Sequence, residues 1–283
     1  MNVAVIDYRS RVAPSALAES LRATGFAVIV AHPLDPELVR LVQEEWLAFF
    51  DGTDKWDYVP DPGAQDGYNP LDAKEVAVGA TLADIKEFFH WYPWGRQPPA
   101  LHEATAQLYR DATALGATLL GWLQAATPAQ VSTQFSVPLP DMLEGSRRTM
   151  LRLLRYPPVT GQEPPGSLRA AAHEDIDLLT VLPAATQPGL QVQDLQGRWH
   201  DVACDPGGVV VNGGDMLTLA SGGFFPSTTH RVLLPSVEDG HPSRVSTPLF
   251  LHPADTVELA AGITAWDALR ERLRQIRAIE LTD

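Results

Sequence analysis

The chain has 283 residues, 45% of them hydrophobic and 20% charged, which is an ordinary globular balance able to bury a core. A net charge of −14 with no long basic run argues against a grip on nucleic-acid phosphates, and a single cysteine, Cys204, excludes an internal disulfide framework and suits a reducing compartment. No apolar run reaches the roughly 18 residues of a membrane span, and residues 1–7 lack the charged leader and apolar stretch of a signal peptide, so a soluble, cytoplasmic protein is expected.

In chain order, residues 15–23 place Leu17, Ala18 and Leu21 at helical spacing. Residues 36–50 do the same with Leu38, Val39, Val42, Trp46 and Phe49, after Asp35 as N-cap and Pro36 in the first turn. The longest helical stretch is 100–126, with Leu101, Leu108, Ala112, Leu115, Leu119 and Leu123 on a recurring face. From Met150 the pattern changes to short apolar or alternating runs punctuated by Pro, Gly and Asn: 151–156, 178–182, 189–193, 208–211, 216–220, 230–234 and 245–252. Strands at this density predict a sandwich or jelly roll. Residues 265–279 read as a final helix with Leu269, Leu273, Ile276 and Ile279 along one stripe. The expectation is one domain over 1–283, with a helix-rich region to 149, a jelly-roll core over 150–253 and a C-terminal helix over 254–283.

His173 and Asp175 are separated by one residue, so on a strand they share a face while Glu174 points the other way. A second histidine, His230, follows 55 residues after Asp175, enough chain for several strands to cross a barrel and return. Two histidines and one carboxylate in this order are the sequence form of a facial triad, which holds Fe(II) on one side and leaves positions open on the other. Neither the spacing of zinc-protease histidines nor a cysteine cluster is present. Arg244 and Ser246 also share a strand face, offering a guanidinium fork and a hydroxyl suited to a carboxylate. Asn212 and Asp215 sit in the run Val211-Asn212-Gly213-Gly214-Asp215 and read as turn residues. Arg231 alternates away from His230 and is expected to pair with a structural carboxylate. Glu174 and Asp177 are expected to face solvent or support the triad rather than bind metal. Trp91, Tyr92, Trp94, Phe224 and Phe225 are the aromatic candidates for shaping a substrate pocket.

The succession Arg155-Tyr156-Pro157-Pro158, His173-Glu174-Asp175, Leu178-Leu179-Thr180, Gly189-Leu190-Gln191-Val192, Trp199, Val210 to Met216, His230-Arg231-Val232 and Arg244-Val245-Ser246 resembles the isopenicillin N synthase-like branch of the 2-oxoglutarate/Fe(II)-dependent oxygenases. The N-terminal part resembles it more loosely, through Val5-Ile6-Asp7 as an opening strand, the segment 25–32, Gly67-Tyr68 and the segment 84–89. The resemblance implies a double-stranded β-helix, with His173, Asp175 and His230 as iron ligands and Arg244, Ser246 and Tyr156 on the distal carboxylate of 2-oxoglutarate. One position departs: the family's asparagine two residues before Tyr156 is Leu154. The implied activity is oxidation of an unactivated C–H bond of a small molecule, by hydroxylation, desaturation, epoxidation or ring closure, with Fe(II), 2-oxoglutarate and dioxygen. Secondary-metabolite and amino-acid-like substrates fit it, a monomer is compatible with it, and neither nucleic acid nor membrane is an expected partner. The retained Asp175 argues against halogenation, for which related enzymes carry a small residue there. Two rivals stay open: an Fe(II) oxidase that dispenses with 2-oxoglutarate, as isopenicillin N synthase does, and a ligand-binding protein on the same fold.

Overall fold

The structure is a computed structural model in which residues 3–71, 82–203, 205–236 and 242–277 are described. Chain order begins β1 (Ala4–Asp7), α1 (Ala13–Thr24), β2 (Phe26–Val30), α2 (Pro36–Asp51), β3 (Gly67–Asn69), β4 (Glu87–Trp91), α3 (His102–Ala126), α4 (Ala129–Ser132) and β5 (Met150–Tyr156). It continues β6 (Ala170–His173), β7 (Leu179–Pro183), β8 (Leu190–Gln193), β9 (Trp199–Asp201), β10 (Val209–Gly213), α5 (Asp215–Ala220), β11 (His230–Val232), β12 (Arg244–Ser246), β13 (Leu249–Leu251), β14 (Glu258–Ala260), β15 (Ile263–Thr264) and α6 (Ala265–Arg277).

Two sheets face each other. The larger runs β1-β2-β10-β7-β13-β5-β4-β3 with β12 also on β5, and the smaller runs β6-β11-β8-β9. The β1–β2 pair is parallel; the others are antiparallel. Strands β2 and β4 come from the helix-rich N-terminal region yet pair with β10 and β5, so that region and the jelly-roll core share one sheet.

Alternation along each strand separates two apolar clusters. Leu151, Leu153, Phe89, Val181, Val211 and Leu249 point outward and pack under α1, α2 and α3. Phe26, Val28, Phe88, Leu154, Tyr156 and Val210 point inward and meet Ala170, Leu190, Val192 and Val232 of the smaller sheet. Helix α2 begins as its caps predict: Asp35 Oδ1 accepts from Glu37 N at 2.9 Å, and Pro36 opens the first turn. Helix α3 lies close on the sheet because Gly116 admits Leu251, whose Cδ1 occupies the space that a Cβ there would need.

Two expected strands are corrected. Residues 216–220 belong to the short helix α5, because the backbone turns at Gly214 and the next N–H groups, of Asp215 and Met216, donate to the carbonyls of Asp175 and Asp177. The run 245–252 is two strands, β12 and β13, interrupted at Thr247 and Pro248; proline has no N–H to continue a ladder. The C-terminal helix forms over Ala265–Arg277 with Leu269 and Leu273 packed inward, while Ile279 and Cys204 lie outside the described residues. No helix among the described residues is long and apolar enough to cross a membrane.

Candidate active site

Strand β6 ends at His173 and strand β11 begins at His230, and the ladder sets these two residues directly opposite each other. Their rings lie 4.4 Å apart between centroids. Asp175, two residues past the end of β6, turns back toward both, with Oδ1 3.8 Å from His173 Nε2 and 3.7 Å from His230 Nε2. With bonds of about 2.1 Å, two ligands of one ion lie at most about 4 Å apart, so each carboxylate–imidazole pair fits a shared coordination sphere.

The remaining polar atoms of the three residues are engaged elsewhere. His173 Nδ1 faces Ala171 O at 2.7 Å and His230 Nδ1 faces Thr228 O at 3.1 Å, so each Nδ1–H donates to a carbonyl and leaves the Nε2 lone pair open. Asp175 Oδ2 accepts from Thr180 Oγ1 at 2.6 Å and Asn212 Nδ2 at 2.8 Å, leaving Oδ1 for the imidazole side. Burial and the neighbouring His230 push the His173 imidazole down to about 4, so it is neutral at pH 7. Burial alone would raise the Asp175 carboxyl; His230, His173 and the hydrogen bonds from Thr180 and Asn212 outweigh it and hold the group below its ordinary range. Two imidazoles that present Nε2 and one carboxylate are the donor set a divalent iron ion takes, and His173, Asp175 and His230 form a metal-capable group among the described residues.

The turn after Asp175 is clamped by the start of α5: Asp215 N donates to Asp175 O at 2.8 Å and Met216 N to Asp177 O at 3.1 Å. Gly214 must be glycine there, since a Cβ would collide with the Asp177 carbonyl. Asp177 is wholly buried beside Asp175, and burial together with that carboxylate raises it well above the carboxylate range. It supports the site beside Thr180 and is not among the three converging donors.

Beside the triad opens a cavity of about 470 Å³. His173, Asp175 and Ile176 form one wall, and inward residues of β4, β5 and β13, among them His90, Arg152 and Phe250, form another. Arg152 lies between the rings of Phe88 and Phe250, at 4.8 and 5.5 Å, and its Nε donates to His90 Nε2 at 2.9 Å. His90 is itself fixed by Nδ1 against Gln65 O at 2.9 Å. Helix α6 closes the rim with Leu269, Leu273 and Arg272, which pairs with Asp215 at 2.8 Å.

Arg244 and Ser246 lie in β12 with their register partners Tyr156 and Leu154, all four buried in the barrel interior. Arg244 donates through Nε to Gln187 O at 2.8 Å, is hydrogen-bonded to Tyr156, and carries its guanidinium 5.1 Å from that ring's centroid.

Several expectations are corrected by position. Trp91 is on the outward face of β4, against Tyr109 and His102, because it is one residue out of phase with the inward His90. Trp94 is 44% exposed and stacks on Tyr92, with Nε1 donating to Arg147 O. Phe225 is fully buried in the outer core, and Phe224 lines a separate cleft with Arg22. Of the five aromatic candidates, Tyr92 lines the cavity. Asn212 is a strand residue of β10 aimed at Asp175, not a turn residue. Arg231 stacks on Trp199 at 4.0 Å and donates to Gln191 Oε1, with no carboxylate partner among the described residues. Glu174 lines the cavity and accepts from Thr229 at 3.0 Å. The sequence assigns no role to Thr180 or Arg169. Thr180 lies in the motif that follows the triad, which is a usable signal, whereas nothing in the sequence around Arg169 marks it as buried.

Comparison with known proteins decides the family. The model of the 2OG-Fe(II) oxygenase superfamily matches residues 148–253, from β5 through β13. A provisionally assigned oxygenase from Shewanella oneidensis is 45% identical, with a TM-score of 0.89, over 99% of this chain and 100% of its own. The chain belongs to the 2OG-Fe(II) oxygenase superfamily. It is an enzyme of the Fe(II)- and 2-oxoglutarate-dependent dioxygenase class, with Fe(II), 2-oxoglutarate and dioxygen as its requirements and a jelly-roll fold. The flavonol synthase/flavanone 3-hydroxylase of Eustoma exaltatum subsp. russellianum is 26% identical over 250 residues, 84% of this chain and 71% of the relative. At 23% identity, the fold alone is shared with a full-length Neurospora crassa protein solved in complex with alpha-KG, at a TM-score of 0.77 over 95% of this chain and 94% of the other.

Proposed function

We propose that His173 and His230 through Nε2 and Asp175 through Oδ1 hold the Fe(II) of this oxygenase. Arg244, Ser246 and Tyr156 hold the distal carboxylate of 2-oxoglutarate, and the cavity beside His173 takes a small-molecule substrate of secondary-metabolite or amino-acid-like kind. The observation that carries this reading is the convergence of three donor atoms whose neighbouring polar atoms are all satisfied by Ala171, Thr228, Thr180 and Asn212. A facial set of three protein donors leaves positions for co-substrate and dioxygen.

Iron bound with 2-oxoglutarate and dioxygen supplies the oxidation of an unactivated C–H bond, with succinate and carbon dioxide as co-products; the outcome is hydroxylation, desaturation, epoxidation or ring closure. The chain's own part is positional. Carbonyls behind the imidazoles set their tautomers, Thr180 and Asn212 set the carboxylate rotamer, and the buried Arg244 offers a forked donor to an anion. The cavity mixes apolar Met150, Ile176, Phe250 and Leu269 with polar Gln65, His90 and Arg152, which suits a compact molecule having both an apolar body and a polar group.

Anaerobic addition of Fe(II) and 2-oxoglutarate is expected to give a visible charge-transfer band, and oxygen then releases succinate in step with substrate oxidation. Arg244→Ala raises the 2-oxoglutarate requirement roughly ten- to a hundredfold, the worth of a forked charge-assisted contact. Turnover without 2-oxoglutarate, coupled to four-electron oxidation of one substrate, replaces this reading with the isopenicillin N synthase type.

A further inference from the structure

Arg169 stands immediately before β6 and is 1% exposed, yet its Nε and Nη2 meet no acceptor among the described residues. Its backbone is fixed in the smaller sheet, where Arg169 N donates to Val232 O at 3.1 Å. Its guanidinium lies 5.8 Å from the Tyr156 ring centroid, and that of Arg244, from the opposite sheet, lies 5.1 Å from the same centroid. Two buried guanidiniums therefore converge on one tyrosine, and among the described residues no carboxylate pairs with either. Burial and the nearby Arg244 push Arg169 down to about 10, which leaves it cationic at neutral pH.

Protein interiors do not ordinarily keep a desolvated cation unpaired, still less two side by side. Aliphatic packing explains the burial of an arginine stem but not orphaned donors at its head. An anion between the two arginines resolves the arrangement, because each guanidinium presents a planar fork that matches a carboxylate. At the position directly opposite Ser246 no polar side chain is offered, since its register partner is Leu154. Arg169 adds a donor to this end of the barrel from the other sheet.

We propose that Arg169 binds the co-substrate: with Arg244 it forms a two-arginine clamp on the distal carboxylate of 2-oxoglutarate, one arginine from each sheet. This inference rests on the reading that Arg244 faces that carboxylate. The clamp makes the distal carboxylate the source of affinity, so 2-oxo acids lacking it gain nothing from either arginine.

The test uses the full chain with Mn(II) as a redox-silent stand-in, following 2-oxoglutarate binding by calorimetry and stability by thermal melting. Arg169→Met is expected to melt at or above the wild-type temperature without ligand, because a buried unpaired charge is gone. It should also bind 2-oxoglutarate at least tenfold more weakly and lose most of the ligand-induced rise in Tm. Arg169→Lys, which keeps the charge without the fork, falls between. 2-Oxobutanoate, which keeps the chelating end without the distal carboxylate, gains nothing from Arg169 and binds wild type and Arg169→Met alike. An Arg169→Met protein that melts several degrees lower but binds 2-oxoglutarate within twofold of wild type makes the residue a structural plug and overturns the proposal. Should that variant fail to fold, unchanged affinity in Arg169→Lys overturns it. Loss confined to Arg244→Met removes Arg169 from the clamp and leaves the wider co-substrate reading standing; no loss in either arginine variant removes both.

Discussion

The two faces of the large sheet, built from the same strands, have opposite characters. Strand β5 sends Leu151 and Leu153 outward to an apolar layer under α2 and α3, both with 0% exposure. One residue out of phase, it sends Arg152, Leu154 and Tyr156 inward, where they meet a cavity, a serine and two arginines. Strand β7 repeats the division, with Val181 outward and Thr180 turned to Asp175. The outward face stores stability, since every contact there is satisfied by the chain itself. The inward face carries the polar groups of the site, Thr180 and Asn212 on Asp175 and Arg244 beside Tyr156, and that is where ligands would bind.

The largest effect expected of this division is on metal. His230→Ala or Asp175→Ala should abolish tight Fe(II) binding while the barrel stays folded, because a missing ligand lowers affinity sharply; anaerobic iron titration with circular dichroism reads both. Asn212→Ala, which removes only the hydrogen bond to Asp175 Oδ2, should cost roughly 10–100-fold in metal affinity. Full iron occupancy in His230→Ala would end the ligand assignment.

The outward face should respond in the opposite sense. Leu153→Ala is expected to cost about 2–5 kcal/mol of folding stability, measured by urea denaturation, from lost transfer energy plus a cavity under α2. The folded fraction should bind Fe(II) and 2-oxoglutarate as wild type does. A metal-affinity loss in Leu153→Ala as large as that in Asn212→Ala would dissolve the division between faces.

The smallest effect is on pH dependence. His252 lines the cavity at 9% exposure, and burial pushes its imidazole down to about 4 from the ordinary 6.5. The unfolded chain therefore binds a proton that the folded chain refuses between those values, so stability rises with pH across about 4 to 6.5 and is lost on acidification through that window. The contribution is at most about 3 kcal/mol. His252→Leu should flatten this part of the stability–pH curve of the metal-free protein, and an unchanged slope would show that His252 does not resist protonation.

Elements with strong local signals were legible without coordinates. The Asp35–Pro36 cap, the leucine face of α3 and the dense short strands after Met150 each depend on neighbours in sequence. Residues 216–220 were misread for the same reason: an apolar run that short suits strand or helix equally, and the choice fell to the hydrogen bonds of Asp215 and Met216 with Asp175 and Asp177. The aromatic segment at 88–94 shows the other limit, since composition marks a pocket but only strand phase says that Tyr92 faces it and Trp91 does not.

By itself the sequence marked the candidate residues: His173 and Asp175 separated by one residue with His230 downstream, and Arg244 and Ser246 sharing a face through the two-residue repeat of a β-strand. Tertiary structure alone decided what stands around them. Asn212 reaches Asp175 across 37 residues of sequence, and Arg169 and Arg244 meet at Tyr156 from opposite sheets. The physical reason is that burial and pairing are properties of a closed barrel. A charge in the chain is solvated until the two sheets close over it, and only then does it lack a partner that a ligand can provide.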